Sequence, residues 1–164
     1  MTKTYIFDID NTLCHTWPTL SKQKGYFLFR FFEEAWRVSF IPCLSNMMRH
    51  AQVRKRRHDS EVYFLSARHW SLWPFTYIYL VRHIGLFSPH RLTLVPSASE
   101  KVKNFEAFLN SIEGLITVID DLSYNTEAGH TLYYSDIIQY LRSQPRRIRY
   151  IAKDKIDLIN NSPA

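Results

Sequence analysis

Short apolar runs alternate along the chain with longer stretches in which apolar residues recur at helical spacing. Runs rich in β-branched and aromatic residues and bounded by polar or turn-forming residues predict strands. These runs lie at 4–7, 62–65, 92–95, 115–119 and 148–151. The run at 115–119 is almost wholly apolar, which is typical of a parallel strand that helices cover on both faces.

Helical patterns lie between the predicted strands. They begin near Pro42, Pro74, Ser99 and Tyr133, and they end near His58, Gly85, Ile112 and Arg142. Proline favours the first turn of a helix, and serine favours its N-cap. Residues 14–40 show no clear helical pattern and predict an irregular segment. Because strands and helices alternate, we expect one α/β domain over residues 1–164, a Rossmann-like three-layer sandwich with a mostly parallel central sheet.

Composition narrows the class of protein. A chain of 164 residues, 46% of them hydrophobic, is long enough to bury a core without a metal or a disulfide. Its two cysteines, Cys14 and Cys43, have no zinc-site spacing, and two thiols make no disulfide framework. The N-terminus lacks a signal-peptide pattern, and no apolar run reaches the ~20 residues that cross a bilayer. We therefore expect a soluble, cytoplasmic protein that does not insert into a membrane.

Polar residues follow the predicted strands at the edge where ligands bind in such sheets. The first strand ends in Asp8-Ile9-Asp10-Asn11-Thr12, the second in Ser66-Ala67-Arg68 and the fourth in Asp120-Asp121, while Lys101 opens a helix at the same edge. Crowded carboxylates repel one another unless a cation offsets their charge. Oxygen ligands of this kind suit Mg²⁺, which also binds phosphate oxygens.

The same residues favour phosphoryl transfer. An aspartate can act as a nucleophile towards phosphorus, and a second carboxylate two residues along an extended backbone faces the same side. That second carboxylate can protonate a leaving oxygen and later activate water. The Ser66 hydroxyl and the Lys101 ammonium remain available to hold the phosphate.

The ordered set Asp8-Ile9-Asp10-Asn11-Thr12-Leu13, Ser66, Lys101 and Asp120-Asp121 resembles the four motifs of the haloacid dehalogenase (HAD) superfamily of aspartate-nucleophile phosphatases. The resemblance implies that Asp8 is the nucleophile and a Mg²⁺ ligand. It implies that Asp10 is the general acid and base, with its backbone carbonyl on the metal. The implied phosphate-binding residues are Thr12, Ser66, Ala67 and Lys101. Asp121 is implied as a direct metal ligand, and Asp120 as a ligand through water or an orienting group.

Several assignments stay open. Lys103 lies two residues beyond Lys101 on the same helix and is the alternative motif lysine. Arg68 and Asn125 are candidate substrate contacts, although Arg68 is equally suited to pairing with an acid. A non-catalytic phosphate- or protein-binding module on the same fold is the alternative to an enzyme.

Chain length bears on the substrate. Neither the interval 14–40 nor the interval 67–100 leaves room for a large cap domain, so we expect a capless protein with 14–40 as a short flap. An open site suits bulky phosphorylated substrates, which exclude water themselves. The motifs of this chain distantly resemble those of the phosphatase domain of polynucleotide kinase. This resemblance implies that the substrate is a nucleic-acid 3′-phosphate or a nucleotide. The aromatic stretch 26–32 is expected either to pack beneath the flap or to contact substrate or a partner subunit.

A net charge of +6 adds the possibility of a polyanionic partner, including nucleic acid. The basic run at 54–58 and Arg142, Arg146 and Arg147 are nevertheless expected at the edge opposite the candidate site, because helices in this fold run antiparallel to the strands. The sequence does not indicate an oligomeric state.

Overall fold

The computed structural model describes residues 2–16, 27–125 and 131–162, and the side chains of 27–30 and 125 lie outside that description. Its strands are β1 (Lys3–Phe7), β2 (Ser60–Ala67), β3 (Leu92–Val95), β4 (Ile116–Ile119), β5 (Ser123–Asn125), β6 (Thr131–Tyr133) and β7 (Ile148–Ile151). Its helices are α1 (Phe27–Phe40), α2 (Ser45–Arg56), α3 (Trp73–Ile84), α4 (Lys101–Ser111), α5 (Ser135–Arg142) and α6 (Lys153–Asn161), with short 3₁₀ turns at Trp70–Leu72 and Pro89–Arg91.

In the described part of the chain, five strands form one sheet in the order β3-β2-β1-β4-β7, and every neighbouring pair is parallel. Alternate residues of β1 point into different layers. Tyr5 and Phe7 pack in one cluster with residues of α2, α3 and α6, whereas Ile6 packs in a second cluster with residues of α4 and α5. Helices therefore cover both faces of the sheet, which confirms the predicted α/β sandwich.

The predicted strands at 92–95 and 148–151 are confirmed at both ends, and β2 extends two residues further in each direction than predicted. The predicted helix at 74–85 is also confirmed. It ends where Gly85 adopts a φ of +84°, a backbone conformation open to glycine because it lacks a Cβ.

The expectation of an irregular segment over 14–40 was wrong for α1. This helix buries Ala35 and Val38 against Leu72, at a spacing of three residues on one helical face. The helical period is concealed because apolar residues do not mark the buried face: the aromatic residues with described side chains are all exposed, namely Phe31, Phe32, Trp36 and Phe40.

Three predicted helix starts were also misplaced. Helix α2 begins at Ser45 rather than near Pro42, whose carbonyl accepts a hydrogen bond from the backbone N–H of His15 at 2.8 Å. Helix α4 begins at Lys101, and the Ser99 hydroxyl bonds to the Ser97 hydroxyl instead of capping the helix. Helix α5 begins at Ser135, because Tyr133 belongs to β6.

The β5–β6 hairpin and helix α6 were not predicted. Each hairpin strand has only three residues, which is too short for a recognisable alternation.

The two cysteines lie close together without a disulfide. The backbones of Cys14 and Cys43 pair in an antiparallel bridge, and both residues carry free thiols. No helix among the described residues has the length and apolar character needed to span a membrane.

Candidate active site

The carboxyl ends of β1, β2 and β4 bring the predicted residues to one edge of the sheet. Asp8 follows β1 directly, and its backbone N–H donates to the Ile119 carbonyl at 2.9 Å, which extends the β1–β4 pairing by one residue. Asp120 and Asp121 follow β4, and Lys101 is the first residue of α4. Asp8, Lys101, Asp120 and Asp121 all line a cavity of about 350 Å³.

Three buried carboxylates surround one ammonium group on the floor of this cavity. Lys101 Nζ donates to Asp8 Oδ1 and to Asp120 Oδ2, both at 2.7 Å. The side chains of all three residues are about 95% buried or more. Asp121 completes the group, and the Ser123 hydroxyl donates to it. The structure therefore places Lys101 in the site, whereas Lys103 pairs with Glu100 on the surface.

The pKa values of these groups reflect unbalanced negative charge. Burial and then the neighbouring Asp120 carboxylate raise the pKa of Asp8 well above its usual value, although Lys101 opposes them. The same two causes raise the pKa of Asp121 to about 7. Burial lowers the pKa of Lys101, but Asp120 and Asp8 raise it more, so the ammonium stays charged. Without a further cation, this cluster favours extra protons on its carboxyl groups.

The cluster has the chemistry of a divalent-cation site. Among the described residues, Asp8, Asp120 and Asp121 each offer a carboxylate oxygen, and these oxygens lie within 4.8 Å of one another. Lys101 supplies a single positive charge to three carboxylates, so a cation is needed to balance the rest. Hard oxygen donors fit Mg²⁺. The Asp10 carboxylate does not belong to this group, and the predicted contact through its backbone carbonyl stays a prediction.

The loop after β4 is held in an unusual conformation. Leu122 has a φ of +45°, which side-chain-bearing residues seldom adopt. Three hydrogen bonds support the loop: Leu122 N–H donates to Asp120 Oδ1, Asp121 N–H donates to Thr12 Oγ1, and the Tyr150 hydroxyl donates to the Asp120 carbonyl. These contacts fix the acidic pair on the cavity floor.

Asp10 is held separately, by an ion pair that sequence reasoning did not assign. Arg68 donates to both Asp10 oxygens, through Nε at 2.8 Å and Nη2 at 2.7 Å. The Ser66 hydroxyl donates at 2.8 Å and the Thr16 hydroxyl at 2.6 Å. Burial raises the pKa of Asp10, but the guanidinium and these hydrogen bonds lower it further, to well below its usual range. Asp10 is therefore ionised at neutral pH in this arrangement.

The remaining predicted contacts are distributed unevenly. Arg68 and Ala67 line the cavity. Thr12 and Ser66 are fully buried, do not line it, and use their hydroxyls on Asp121 and Asp10 respectively. Phosphate binding by Thr12, Ser66 and Ala67 stays a prediction. Asn125 ends β5, and its side chain lies outside the described part of the structure, as do residues 17–26 of the expected flap.

Within the aromatic stretch 26–32, the structure describes only the side chains of Phe31 and Phe32. Phe31 packs edge-on against Phe75, and neither Phe31 nor Phe32 lines the cavity. One turn further along α1, Glu34 and Arg37 do line it, joined to each other by an ion pair. Their i, i+3 spacing was the available sequence signal, and it was concealed because no helix was predicted there.

Two tyrosines were also missed. Tyr124 from β5 and Tyr134, just before α5, line the cavity with ring centroids 4.7 Å apart. No sequence signal pointed to them, because the hairpin that brings them together was not predicted.

Arg57 and Arg147 lie at the opposite edge, as expected from the helix directions, whereas Arg142 lines a second cavity that Asp121 also lines. Arg57 pairs with Asp59, whose carbonyl accepts from the backbone N–H of Lys3 at the start of β1. Arg147 donates to the carbonyls of Leu109 and Ile112 at the end of α4. Those arginines serve the fold rather than the cavity.

Comparison with known proteins finds similarity only at the level of solved structures. The structure of the class C acid phosphatase from Bacillus anthracis aligns with this chain at 12% identity and a TM-score of 0.49. The alignment covers 99% of this chain and 80% of the phosphatase chain. The tungstate-bound crystal structure of that phosphatase aligns over the same shares, at 12% identity and a TM-score of 0.48. No protein-family model matches the sequence. A search of curated proteins gives no match either. The neighbours are similar in general fold, and the roles of residues in this chain rest on its own geometry.

Proposed function

We propose that this protein is a Mg²⁺-dependent phosphomonoester hydrolase that works through an aspartyl-phosphate on Asp8, as the resemblance to HAD phosphatases implies. One observation supports this most strongly. Asp8, Asp120 and Asp121 converge around Lys101 on the floor of a cavity, although they come from separate segments of the chain. A structural ion pair needs one acid for one base, and an excess of buried carboxylates is costly unless a function retains it.

Asp8 is the proposed nucleophile. Lys101 holds its Oδ1, which orients the carboxylate and leaves Oδ2 as the attacking oxygen. An electron pair from Asp8 forms the new bond to phosphorus, while the bond from phosphorus to the ester oxygen breaks. Attack requires the ionised form, yet burial and Asp120 raise the pKa of Asp8. A cation near this carboxylate is therefore needed for nucleophilicity as well as for charge balance.

Asp8, Asp120 and Asp121 are the residues that would hold Mg²⁺, and the bound ion would offset charge on the phosphoryl oxygens. Lys101 adds a fixed positive charge on the same side. Electrostatic stabilisation of this kind is the main protein contribution to phosphoryl transfer. Lys101 Nζ is fixed by hydrogen bonds to two buried carboxylates, so its charge needs little reorganisation during the reaction.

Asp10 supports the second half of the reaction better than the first. Because Arg68 keeps it ionised, Asp10 is in the form that can accept a proton from the water that hydrolyses the aspartyl-phosphate. The lowered pKa also makes it a weak base as long as Arg68 stays in contact with it. To protonate the leaving alcohol it must first acquire a proton, which requires the Arg68 guanidinium to loosen its hold. A phosphate group is a natural competitor for that guanidinium, since both carboxylate and phosphate fit its paired donors.

The direct test is phosphate release from a panel of sugar phosphates, nucleotides, phosphopeptides and 3′- or 5′-phosphorylated oligonucleotides with Mg²⁺. We expect release that EDTA abolishes and that Asp8→Asn eliminates while the circular dichroism spectrum is unchanged. Asp136→Asn, at an exposed position on α5, is the matched control and should be fully active. Release by Asp8→Asn at the wild-type rate would refute Asp8 as the nucleophile. No release from any ester of the panel by the wild type with Mg²⁺ would refute the proposal and leave a binding module as the alternative.

For the substrate, a nucleic-acid 3′-phosphate or a nucleotide stays the candidate from sequence. The basic surface at the far edge can attract a polyanion over distance, but it does not touch the cavity. Binding to an oligonucleotide end should weaken steeply as salt rises, because phosphate contacts release counterions. Affinity that does not change with salt would argue against a nucleic-acid substrate.

A further inference from the structure

One wall of the catalytic cavity is apolar and aromatic. Tyr124 and Tyr134 stand side by side there with their ring planes inclined at 40°, and Leu122 lies next to them in the lining. Both tyrosines are half-buried, so each ring keeps an accessible surface. Aromatic rings in this position offer a flat surface on which another ring can stack.

This wall adjoins the phosphate-binding floor. Leu122 follows Asp121 directly, and its carbonyl accepts a hydrogen bond from the Tyr134 backbone N–H at 3.0 Å. Tyr134 lines the same cavity as Lys101 and Asp120. A phosphate on the floor would therefore place its ester substituent beside the tyrosines.

Part of the lining is polar. Glu34 and Arg37 of α1 contribute to it as an ion pair, and His69 also belongs to the lining. A substituent that stacks on the tyrosines would therefore share the cavity with charged hydrogen-bonding groups. The apolar and polar parts of the lining together suit a substituent that is planar and that has polar atoms at its edge.

The cavity is also small. Its volume of about 350 Å³ lies near the lower end of the ~300–1,000 Å³ of small-molecule sites. A phosphate occupies part of this space, and what is left encloses one ring system. The cavity therefore contacts the phosphate and the group next to it, and the rest of a larger substrate would lie outside.

We infer that the site selects phosphomonoesters whose leaving group contains a planar ring, and that Tyr124 and Tyr134 are the specificity-determining residues that stack on it. The inference rests on the proposed phosphatase function and adds its substrate class. Aryl phosphates and nucleotides share the required chemistry. The ion pair of Glu34 and Arg37 in the lining favours nucleotides, whose bases have polar edges.

The test compares benzyl phosphate with cyclohexylmethyl phosphate, which have similar size and similar leaving alcohols but differ in the planar ring. We expect kcat/KM to be about 10-fold higher for the benzyl ester, equivalent to about 1.4 kcal/mol, which lies within the range of ring stacking. Tyr124→Leu and Tyr134→Leu should each reduce this ratio towards unity. Tyr133→Leu, on the same hairpin but outside the catalytic cavity, should keep it.

The same comparison with benzylphosphonate and cyclohexylmethylphosphonate, measured by calorimetry, separates this inference from the catalytic one. A protein that hydrolyses both esters equally well, with a ratio that the tyrosine variants do not change, is a phosphatase without ring selectivity and overturns the inference alone. A protein that hydrolyses no ester at all overturns the proposed function first.

A further comparison with a mononucleotide tests whether the ring is a nucleobase. If the protein prefers the nucleotide to benzyl phosphate, and Arg37→Met removes this preference, the nucleotide form of the inference is supported. A nucleotide that is poorer than benzyl phosphate overturns that form.

Discussion

The crowded carboxylates make the stability of the metal-free protein depend on pH in an unusual direction. Burial and Asp120 raise the pKa of Asp121 from 3.8 to about 7 in the folded chain. Between these two values the folded state binds more protons than the unfolded state, so the free energy of unfolding falls as pH rises. The stabilisation is fully present below pH ~3.8 and is lost as the pH passes through ~7.

The size of this change in the free energy of unfolding follows from the difference between the two pKa values of Asp121. At about 1.36 kcal/mol for each pH unit, Asp121 alone accounts for about 4 kcal/mol between pH 4 and pH 8. An asparagine at this position does not titrate. The free energy of unfolding of Asp121→Asn, minus that of the wild type, should therefore increase by about 4 kcal/mol across this range. In a chain of this size that difference is about 10 °C in melting temperature.

The assay is urea unfolding in EDTA at several pH values, with Asp136→Asn as the control for a general change in charge. Mg²⁺ at ~100 times its Kd should then restore about 2.7 kcal/mol to the wild type at pH 8 and much less at pH 5, because protons compete for the same oxygens. A difference between Asp121→Asn and wild type that stays constant from pH 4 to pH 8 would refute the reasoning. Equal stabilisation of the wild type and of Asp121→Asn by Mg²⁺ would also refute the reasoning.

Three further substitutions test the rest of the account. Lys101→Met should lower the free energy of unfolding by about 3 kcal/mol in urea titrations at pH 8 without Mg²⁺, because it leaves buried carboxylates unpaired. Lys103→Met, at an exposed position, should change that free energy little. Equal effects of the two substitutions would contradict the assignment of Lys101 to the site. Arg68→Met removes the main group that lowers the pKa of Asp10, so the acidic limb of the pH profile of kcat/KM should move to higher pH, and an unmoved limb would exclude Asp10 as its source. Arg147→Met should cost about 1–3 kcal/mol in thermal or urea unfolding, because it removes hydrogen bonds to the carbonyls at the end of α4, yet kcat/KM should stay at the wild-type value.

The sheet could be predicted from sequence because its strands are short, apolar and well separated. The runs at 92–95 and 148–151 have turn-forming or charged residues on both sides, so their limits were clear. Because the strands are parallel, their carboxyl ends lie at one edge of the sheet, and the pairing of β1 with β4 brings Asp8 and Asp120 together there. The acidic cluster was predictable for this reason, since it depends on where strands end and not on side-chain detail.

What the sequence did not predict depends on tertiary contacts. Helix α1 has a misleading pattern, because the aromatic residues whose side chains the structure describes lie on its exposed face. The partnership of Arg68 with Asp10 joins residues 58 positions apart, and no local spacing reveals it. Tyr124 and Tyr134 meet only because a short hairpin folds between them. In each case the information lies in packing between distant segments.

Chemical trapping of the phosphorylated aspartate tests the central claim most directly. The protein would be mixed with a substrate found in the panel and Mg²⁺, then quenched with borohydride, which reduces an acyl phosphate to an alcohol. Peptide mass spectrometry should find homoserine in place of Asp8, and neither Asp8→Asn nor a reaction without substrate should give it. Phosphate release at full rate with Asp8 unmodified, or homoserine at Asp10, Asp120 or Asp121 instead, would contradict the assignment of Asp8 as the nucleophile.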